Sequence, residues 1–460
     1  VVPWVKALQI KRQFISDKII IGIDPACPAM PSRRAKNKHQ AAIINHYGLP
    51  IANSFTFANS KQGYLKLLKK VRQQTAKSNE KNIIFSLETS CNLWCTLSYF
   101  LRSSGYDVLL VSPLTTKHSR LASTGQARPM LNHDFSRTDP KDALIIAGSA
   151  RDGYFDFYRD YSRDIKAMHN LSIAYDKLRK NYVQQRNRIH SLMDRVFPEF
   201  YKAINLDTLT GRYLLGKYFL PSDFINMDID EETKAIEKIS HKNHDRQTLE
   251  HLKELAAESI GIPLDESEVL AERLILDTWL ALLETIEEKM KQIMTEIIKL
   301  AKQTPYLKIV TSIKGIYDNL AALFIAEMRD LGLYNHYKQV EKYAGYNLRQ
   351  SQSGNYVGPR HMNHIGNKRL SWLLYRMTEE TVKYVPEVRV KFVKRQLHKC
   401  SYRKNIIAAS PNLLKLIISM VKANRCYEYL DNGCFERLHE LEKKYKRMVE
   451  LKKRRFNQVA

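Results

Sequence analysis

The sequence predicts an α/β domain followed by a long helical region and a mainly helical C-terminal domain. Three observations predict it. Five short β-rich runs all fall before residue 113 and are interleaved with helical stretches. Two later stretches keep apolar residues at a 3,4 spacing over several heptads. Beyond Thr304, apolar helical segments alternate with glycine-punctuated basic ones.

The elements follow in order. Residues 18 to 57 read as a three-stranded meander, KIIIGID, KHQAAIINH and PIANSFTFA, with Tyr47-Gly48 in the second turn. Residues 60 to 77 read as a helix with Tyr64, Leu65, Leu67, Leu68 and Val71 on one side. The strand NIIFSLE ends at Glu88, a helix runs from about Asn92 to Arg102, and Gly105 stops it. The strand DVLLVS leads into a polar, basic loop with Lys117 and Arg120, then into a helix carrying Asp139 and Asp142. The pattern βββαβαβα is that of a ribonuclease-H-like domain, placed at residues 17–155. The helical middle takes residues 160–302. In its first helix Met168, Leu171, Tyr175, Leu178, Tyr182, Ile189, Leu192 and Val196 keep the spacing. In its second, Leu276, Trp279, Leu283, Ile286, Met290, Ile293, Ile297 and Leu300 fill every a and d position of four heptads, the pattern of a coiled coil. The polar residues 200 to 265 read as a smaller helical element at the far end of this hairpin. The third domain, residues 303–430, opens on IVTSIKGIYDNLAALFIAEM, whose turn at Lys314-Gly315 suits a backbone phosphate. Residues 431–460 read as a basic tail.

Four carboxylates carry the chemistry. Asp24 and Glu88 each end an apolar strand, and Asp139 and Asp142 share one face of a first helical turn. Oxygen ligands of this kind bind hard divalent cations, one or two Mg2+ per site. Such ions promote attack on a phosphodiester and stabilise the leaving oxygen. Composition supports a polyanionic partner, since 74 Lys and Arg against 48 Asp and Glu give a net charge of +26. Candidate contacts are Arg33, Arg34, Lys36, Lys38, Lys117, Arg120, Lys314, Gly315, Gly354, Arg360, Lys368 and Arg369. Lys368 and Arg369 open a helix, where cations oppose the helix dipole, so an anionic partner explains them better than helix stability does. Six cysteines without zinc spacing read as reduced thiols of a cytoplasmic, nucleoid-associated protein. No apolar run is expected to reach a membrane span.

The ordered set of pieces resembles the DEDD transposases of the insertion sequence 110 family. They are Asp24 in GID, the strand-end Glu88, Thr138-Asp139-Pro140-Lys141-Asp142-Ala143, Tyr343-Ala344-Gly345, Ser353-Gly354 and Gly366-Asn367, across residues 17 to 425. The resemblance implies a RuvC-like first domain and a serine nucleophile at Ser353. It also implies a guide (bridge) RNA from the same element that pairs with donor and target double-stranded DNA. Homodimers would join through the coiled coil and assemble into a homotetramer, with one subunit's carboxylates facing another's serine. Three departures stand out: the insertion CPAMPSRRAKNK after Asp24, Tyr317 where family members carry a second glycine, and the opening VVPWVKALQIKRQF.

The first reading is therefore an RNA-guided DNA recombinase using Asp24, Glu88, Asp139, Asp142 and Ser353. The alternatives are a metal-dependent junction resolvase or structure-selective nuclease in which water attacks, and a non-catalytic RNA-binding protein on a ribonuclease-H fold. A serine beside Gly and Asn is also an ordinary turn residue, and Asp139 is an ordinary first-turn or N-cap residue.

Overall fold

The computed structural model describes residues 3–26, 38–76, 82–90, 92–117, 138–240, 244–353, 356–429 and 432–457. The chain forms two compact units, Val1–Asp160 and Tyr161–Ala460.

The first unit is built on a six-stranded mixed sheet. Its strands are β1 (Lys18–Asp24), β2 (Lys38–Ile44), β3 (Pro50–Ala58), β4 (Asn82–Glu88), β5 (Asp107–Val111) and β6 (Asp156–Phe157), in the spatial order β3-β2-β1-β4-β5-β6. β1 pairs antiparallel with β2 and parallel with β4, so it lies inside the sheet. Its near-continuous run of isoleucines is what a strand covered on both faces requires. Alternation then sorts the side chains. Ile19, Ile21, Ile23, Phe85 and Leu87 pack with Tyr64, Leu67 and Val71 of helix α2 (Lys61–Thr75) and with Leu97 and Leu101 of helix α3 (Cys95–Ser103). Ile20, Ile84, Leu109 and Val111 pack on the other face with Ile146, Ala147 and Ala150 of helix α4 (Asp139–Arg151).

The predicted strands and helices appear at their predicted places, with four differences. α3 begins at Cys95, because residues 92–94 form a turn first. Lys117 closes a helical turn over residues 113–117 rather than lying in a loop. β6 has only two residues, too few to leave a periodic signal. The opening segment is a helix, α1 (Pro3–Ile15). It sends Ile15 into the core beside α4, and its Phe14 ring meets Phe157 edge-on at 4.9 Å.

The second unit is helical. α5 (Arg163–Val196) and α11 (Glu266–Lys302) run antiparallel. Met168 near the start of α5 shares a core with Met294, Ile297 and Ala301 near the end of α11. Ile189, Leu192, Met193 and Val196 share another with Leu276, Leu280 and Leu283. Between these helices, α6 (Phe200–Ala203), α7 (Leu209–Lys217), α8 (Pro221–Ile225), α9 (Ile229–Ser240) and α10 (Arg246–Ala257) close the second core. The buried stripe of α11 departs from the expected heptads. Leu276, Leu283 and Ile297 are buried as expected, but Leu280, Met294 and Ala301 are buried where Trp279, Ile293 and Leu300 were expected. α11 packs against α5, against the helix Asp318–Met328 and, more lightly, against α7, so its apolar face is wider than one a/d seam and its centre is turned by one residue.

The remaining helices are α12 (Tyr306–Thr311), α13 (Asp318–Met328), α14 (Tyr337–Ala344), α15 (Lys368–Thr381), α16 (Pro386–Leu397), α17 (Tyr402–Ala423) and α18 (Asn432–Asn457). The expectation that no apolar run reaches spanning length needs correction. α17 is long and apolar enough by length and composition. Its Ile406, Ala409, Leu413, Leu414 and Ile417 are buried in the core of this unit, so its apolarity is accounted for by packing. Cys95, Cys400 and Cys426 are free thiols.

Candidate active site

The first unit gathers three of the predicted carboxylates at one end of one sheet face. In the β1–β4 register Ile23 stands opposite Leu87, so Asp24 and Glu88 end neighbouring strands in step. Both lie one residue beyond side chains that face α2 and α3. They therefore face the other way, toward α4. Gly22 brings that helix close. A Cβ there would stand 2.6 Å from the backbone nitrogen of Ala147 and would overlap the Ala143 carbonyl. Asp142 precedes Ala143 in the first turn of α4. It is half-buried, whereas Asp139 is exposed. Both acidic side chains also suit the positive end of the helix dipole.

The surroundings fix these groups. Glu88 is 7% exposed, and both its oxygens accept hydroxyl hydrogens, Oε1 from Ser90 and Oε2 from Thr116 at 2.7 Å. His39 is buried, and its Nδ1 accepts from the backbone N–H of Ala26 at 2.8 Å, tying the chain just past Asp24 to β2. The ring proton therefore sits on Nε2. Sequence reasoning missed Ser90, Thr116 and His39. Only the position of Ser90, two residues after a strand-end Glu, offered a signal. The donor set is all oxygen, which fits a hard divalent cation and not a soft one. Among the described residues, however, no three His, Cys, Asp or Glu side chains stand at metal-ligand spacing. The three carboxylates share an end of the sheet without closing to a complete ligand shell.

In the second unit, Ser353 is exposed on a two-stranded ribbon. β7 (Leu348–Arg349) pairs with β10 (His361–Met362), and β8 (Gln352–Ser353) pairs with β9 (Tyr356–Val357). Ser353 stands opposite Tyr356, and Gly358 N–H donates to the Ser351 carbonyl at 2.9 Å between the two pairings. The base of the ribbon is locked where the Tyr343-Ala344-Gly345 and Gly366-Asn367 motifs meet. Asn367 N–H donates to the Tyr343 carbonyl at 2.7 Å, and His364 N–H to the Gly345 carbonyl at 3.1 Å. Gly345 has φ +76, and a Cβ on Gly366 would stand 2.7 Å from the Tyr343 carbonyl oxygen. These glycines are demanded by backbone meeting backbone.

Below this base lies a buried polar network that sequence reasoning missed. Glu327, 2% exposed, accepts from Arg369 Nε at 2.8 Å, from Arg369 Nη2 at 2.9 Å and from Asn367. Asn367 caps α15 through the N–H groups of Arg369 and Leu370 and also donates to the Tyr343 hydroxyl at 2.9 Å. His169 donates its Nδ1–H to the Ala326 carbonyl at 3.0 Å, and its Nε2 accepts from Arg329 Nη2 at 3.0 Å. The anion that Arg369 was expected to need is thus supplied inside the chain. Lys368 donates to the His364 carbonyl at 2.6 Å. Gly315 turns with φ +97, and Lys314 lies over the Tyr384 ring at 5.1 Å. Tyr317 takes extended backbone at φ −96, so the missing second glycine imposes no strain. Lys38, Lys117 and Arg360 are exposed. Arg33, Arg34, Lys36, Arg120 and Gly354 lie outside the described residues.

Two sequence comparisons bear on this arrangement. Residues 34–198 match the DEDD-type IS110 transposase family, a span that holds Glu88, Asp139 and Asp142 and begins beyond Asp24. Residues 307–392 match the transposase IS116/IS110/IS902 family, a span that holds the ribbon, its glycine-locked base and Glu327. The chain is also similar to the insertion element IS116 uncharacterized 44.8 kDa protein of Streptomyces clavuligerus, at 21% identity over 418 residues, 89% of this chain and 96% of that protein. The two matched spans take in more than half of the sequence, in one order and on either side of residues 199–306, and the Streptomyces relative runs through both: the chain is a transposase and belongs to the IS116/IS110/IS902 family.

Proposed function

We propose that the chain is an RNA-guided DNA recombinase that cuts and rejoins strands through Ser353, with Asp24, Glu88, Asp139 and Asp142 acting as a divalent-cation site. The observation that carries the reading is the gathering of Asp24, Glu88 and Asp142 at one end of one sheet face. These residues and Asp139 would hold Mg2+, one or two ions, which supply charge neutralisation at a phosphodiester. The chain's own part is to hold them there. Thr116 and Ser90 orient Glu88, and Gly22 lets α4 carry Asp142 over β1.

Ser353 Oγ, exposed on its ribbon, loses its proton and forms a bond to phosphorus as one ester bond of the DNA strand breaks. Attack on that phosphoserine by a hydroxyl of another strand reverses the exchange, so religation needs no nucleotide cofactor. The resemblance further implies composite sites made by different copies in a tetramer, and a guide RNA that sets sequence choice by base pairing.

The test is to trap protein on nicked DNA and map the linked peptide. Ser353→Ala is expected to keep complex assembly and to lose both adduct and cleavage. Cleavage by Ser353→Ala without an adduct would favour the nuclease reading, in which water attacks. A linkage at Tyr343, Tyr346 or Tyr356 would replace serine with tyrosine chemistry.

A further inference from the structure

Residues 388–427 contain ten Lys and Arg and not one Asp or Glu, in a chain whose whole excess is +26. Six of those cations crowd one corner. Lys391, Lys394 and Arg395 lie on α16, Lys399 follows its end, and Arg403 and Lys404 open α17. On α16 the spacing 391, 394, 395, 398 puts the basic side chains and His398 on one face. Val388, Phe392 and Val393 of the same helix are buried. Lys391, Lys394, Lys399, Arg403 and Lys404 are all exposed.

Many other cations of this unit meet carboxylates. Arg179 and Lys180 pair with Asp176, Arg212 with Glu287, Arg246 with Asp230 and Glu250, Arg376 with Glu379, and Arg389 with Glu442. Among the described residues none of the six corner cations makes an ion pair. The Arg395 Nε–H is buried without an acceptor there. Arg403 and Lys404 sit in the first turn of a 22-residue helix that has no acidic residue in that turn, and its N-cap Ser401 makes no side-chain cap bond. Their charge opposes the dipole of α17, and it adds to that of Lys394, Arg395 and Lys399 a few residues away. Lys394 and Arg395 suit the C-terminal end of α16, but that does not explain Arg403 and Lys404 massed beside them at the start of α17. A neutralising polyanion does.

We propose that the α16–α17 corner is a phosphate-backbone-binding surface for nucleic acid, with Lys391, Lys394, Lys399 and Lys404 each neutralising a phosphate. It rests on the nucleic-acid reading above, and it lies almost wholly beyond the second family match, which ends at residue 392. Contacts of this kind position a duplex without reading its sequence.

The experiment measures affinity of the full chain against salt, with a 30-bp DNA duplex and, separately, with a structured RNA of similar length. Three variants are compared with the wild type. The first is the corner set Lys391→Gln, Lys394→Gln, Lys399→Gln and Lys404→Gln. The second is the same set changed to Arg. The third spends the same charge elsewhere, at exposed Lys66, Lys69, Lys234 and Lys238. Each lost phosphate contact lowers the salt slope by roughly 0.9. The corner Gln variant is expected to shrink the affinity loss between roughly 50 and 200 mM salt by about a hundredfold. The Arg variant and the third variant are expected to stay near wild type. The nucleic acid on which the slope falls identifies the source of the phosphates. A corner Gln variant with the wild-type slope on both, or one matched by the third variant, overturns the proposal while nucleic-acid binding stands. Failure of the wild type to bind either would instead overturn the reading on which it rests.

Discussion

At position 22 one methyl group decides whether α4 can lie where it does. Gly22→Ala places a Cβ against the backbone of Ala143 and Ala147, so strand and helix must part. Overpacking of this kind costs about 2–3 kcal/mol, and Asp142 is carried away with the helix. Denaturant unfolding is expected to show that loss, and strand-cleavage assays a loss of activity beyond it. Another residue sets a pH response. Burial and the Arg329 guanidinium hold His169 below the ordinary imidazole range. Burial alone would raise Glu327, but the bonds from Arg369 and Asn367 outweigh it and hold its carboxyl low. Both groups bind protons more readily in the unfolded chain. Stability is therefore full above about pH 6.5 and falls as pH drops through that value, with the Glu327 share lost only below about pH 4.5. Thermal melts between about pH 7.5 and 5.5 are expected to show the fall in the wild type and a flatter profile in His169→Gln. Asp24, Glu88 and Asp142 were legible in the sequence because strand ends and a helix start bracket them. Glu327, Thr116 and His39 were not, because their partners lie far along the chain, at Arg369, Glu88 and Ala26.

At the scale of elements, apolar periodicity located β1, β2, β3, β4 and β5 and both long helices, since each buries enough of itself to show a period. It could not say which neighbour each face meets, and the stripe of α11 turned out to be set by α5, α7 and α13 together. That geometry separates two substitutions. Leu283 is buried in the second core of the helical unit, while Ile293 is half-buried. Leu283→Asp is expected to cost about 4 kcal/mol or more, and Ile293→Asp about 1 kcal/mol. Urea midpoints of the two variants check this, and equal midpoints would restore the simple heptad seam. The ribbon was hidden for the opposite reason. Its strands are two residues long, exposed and without alternation, so only its glycine-marked ends were visible.

The whole molecule is a cationic object, and its charge sets how it meets its partners. Six to ten phosphate contacts predict an affinity that falls about 10³–10⁵-fold between roughly 50 and 200 mM salt. Filter binding with and without guide RNA checks this together with guidance. Sequence-specific DNA binding that is the same in both arms would count against an RNA-guided enzyme, whereas a steep salt slope alone would not distinguish it. The overall order of α/β unit and helical unit was legible from composition and pattern. How the middle helices divide was not: they share one core with the C-terminal helices through Met168, Met294 and Ile297, a contact between residues more than a hundred positions apart.

The ribbon that bears Ser353 counts in twos on either side of one odd step, where residues 350–351 face residues 358–360. Its two ends are welded at Gly345 and Gly366, so its length can change only by growth of the arm itself. One residue added to a strand sends every side chain beyond it to the opposite face, whereas a matched pair added to both strands preserves facing and extends reach by roughly 7 Å. Among relatives of this chain, arm lengths should therefore step by even numbers, and an odd step would mark a bulge that restores the parity of the serine.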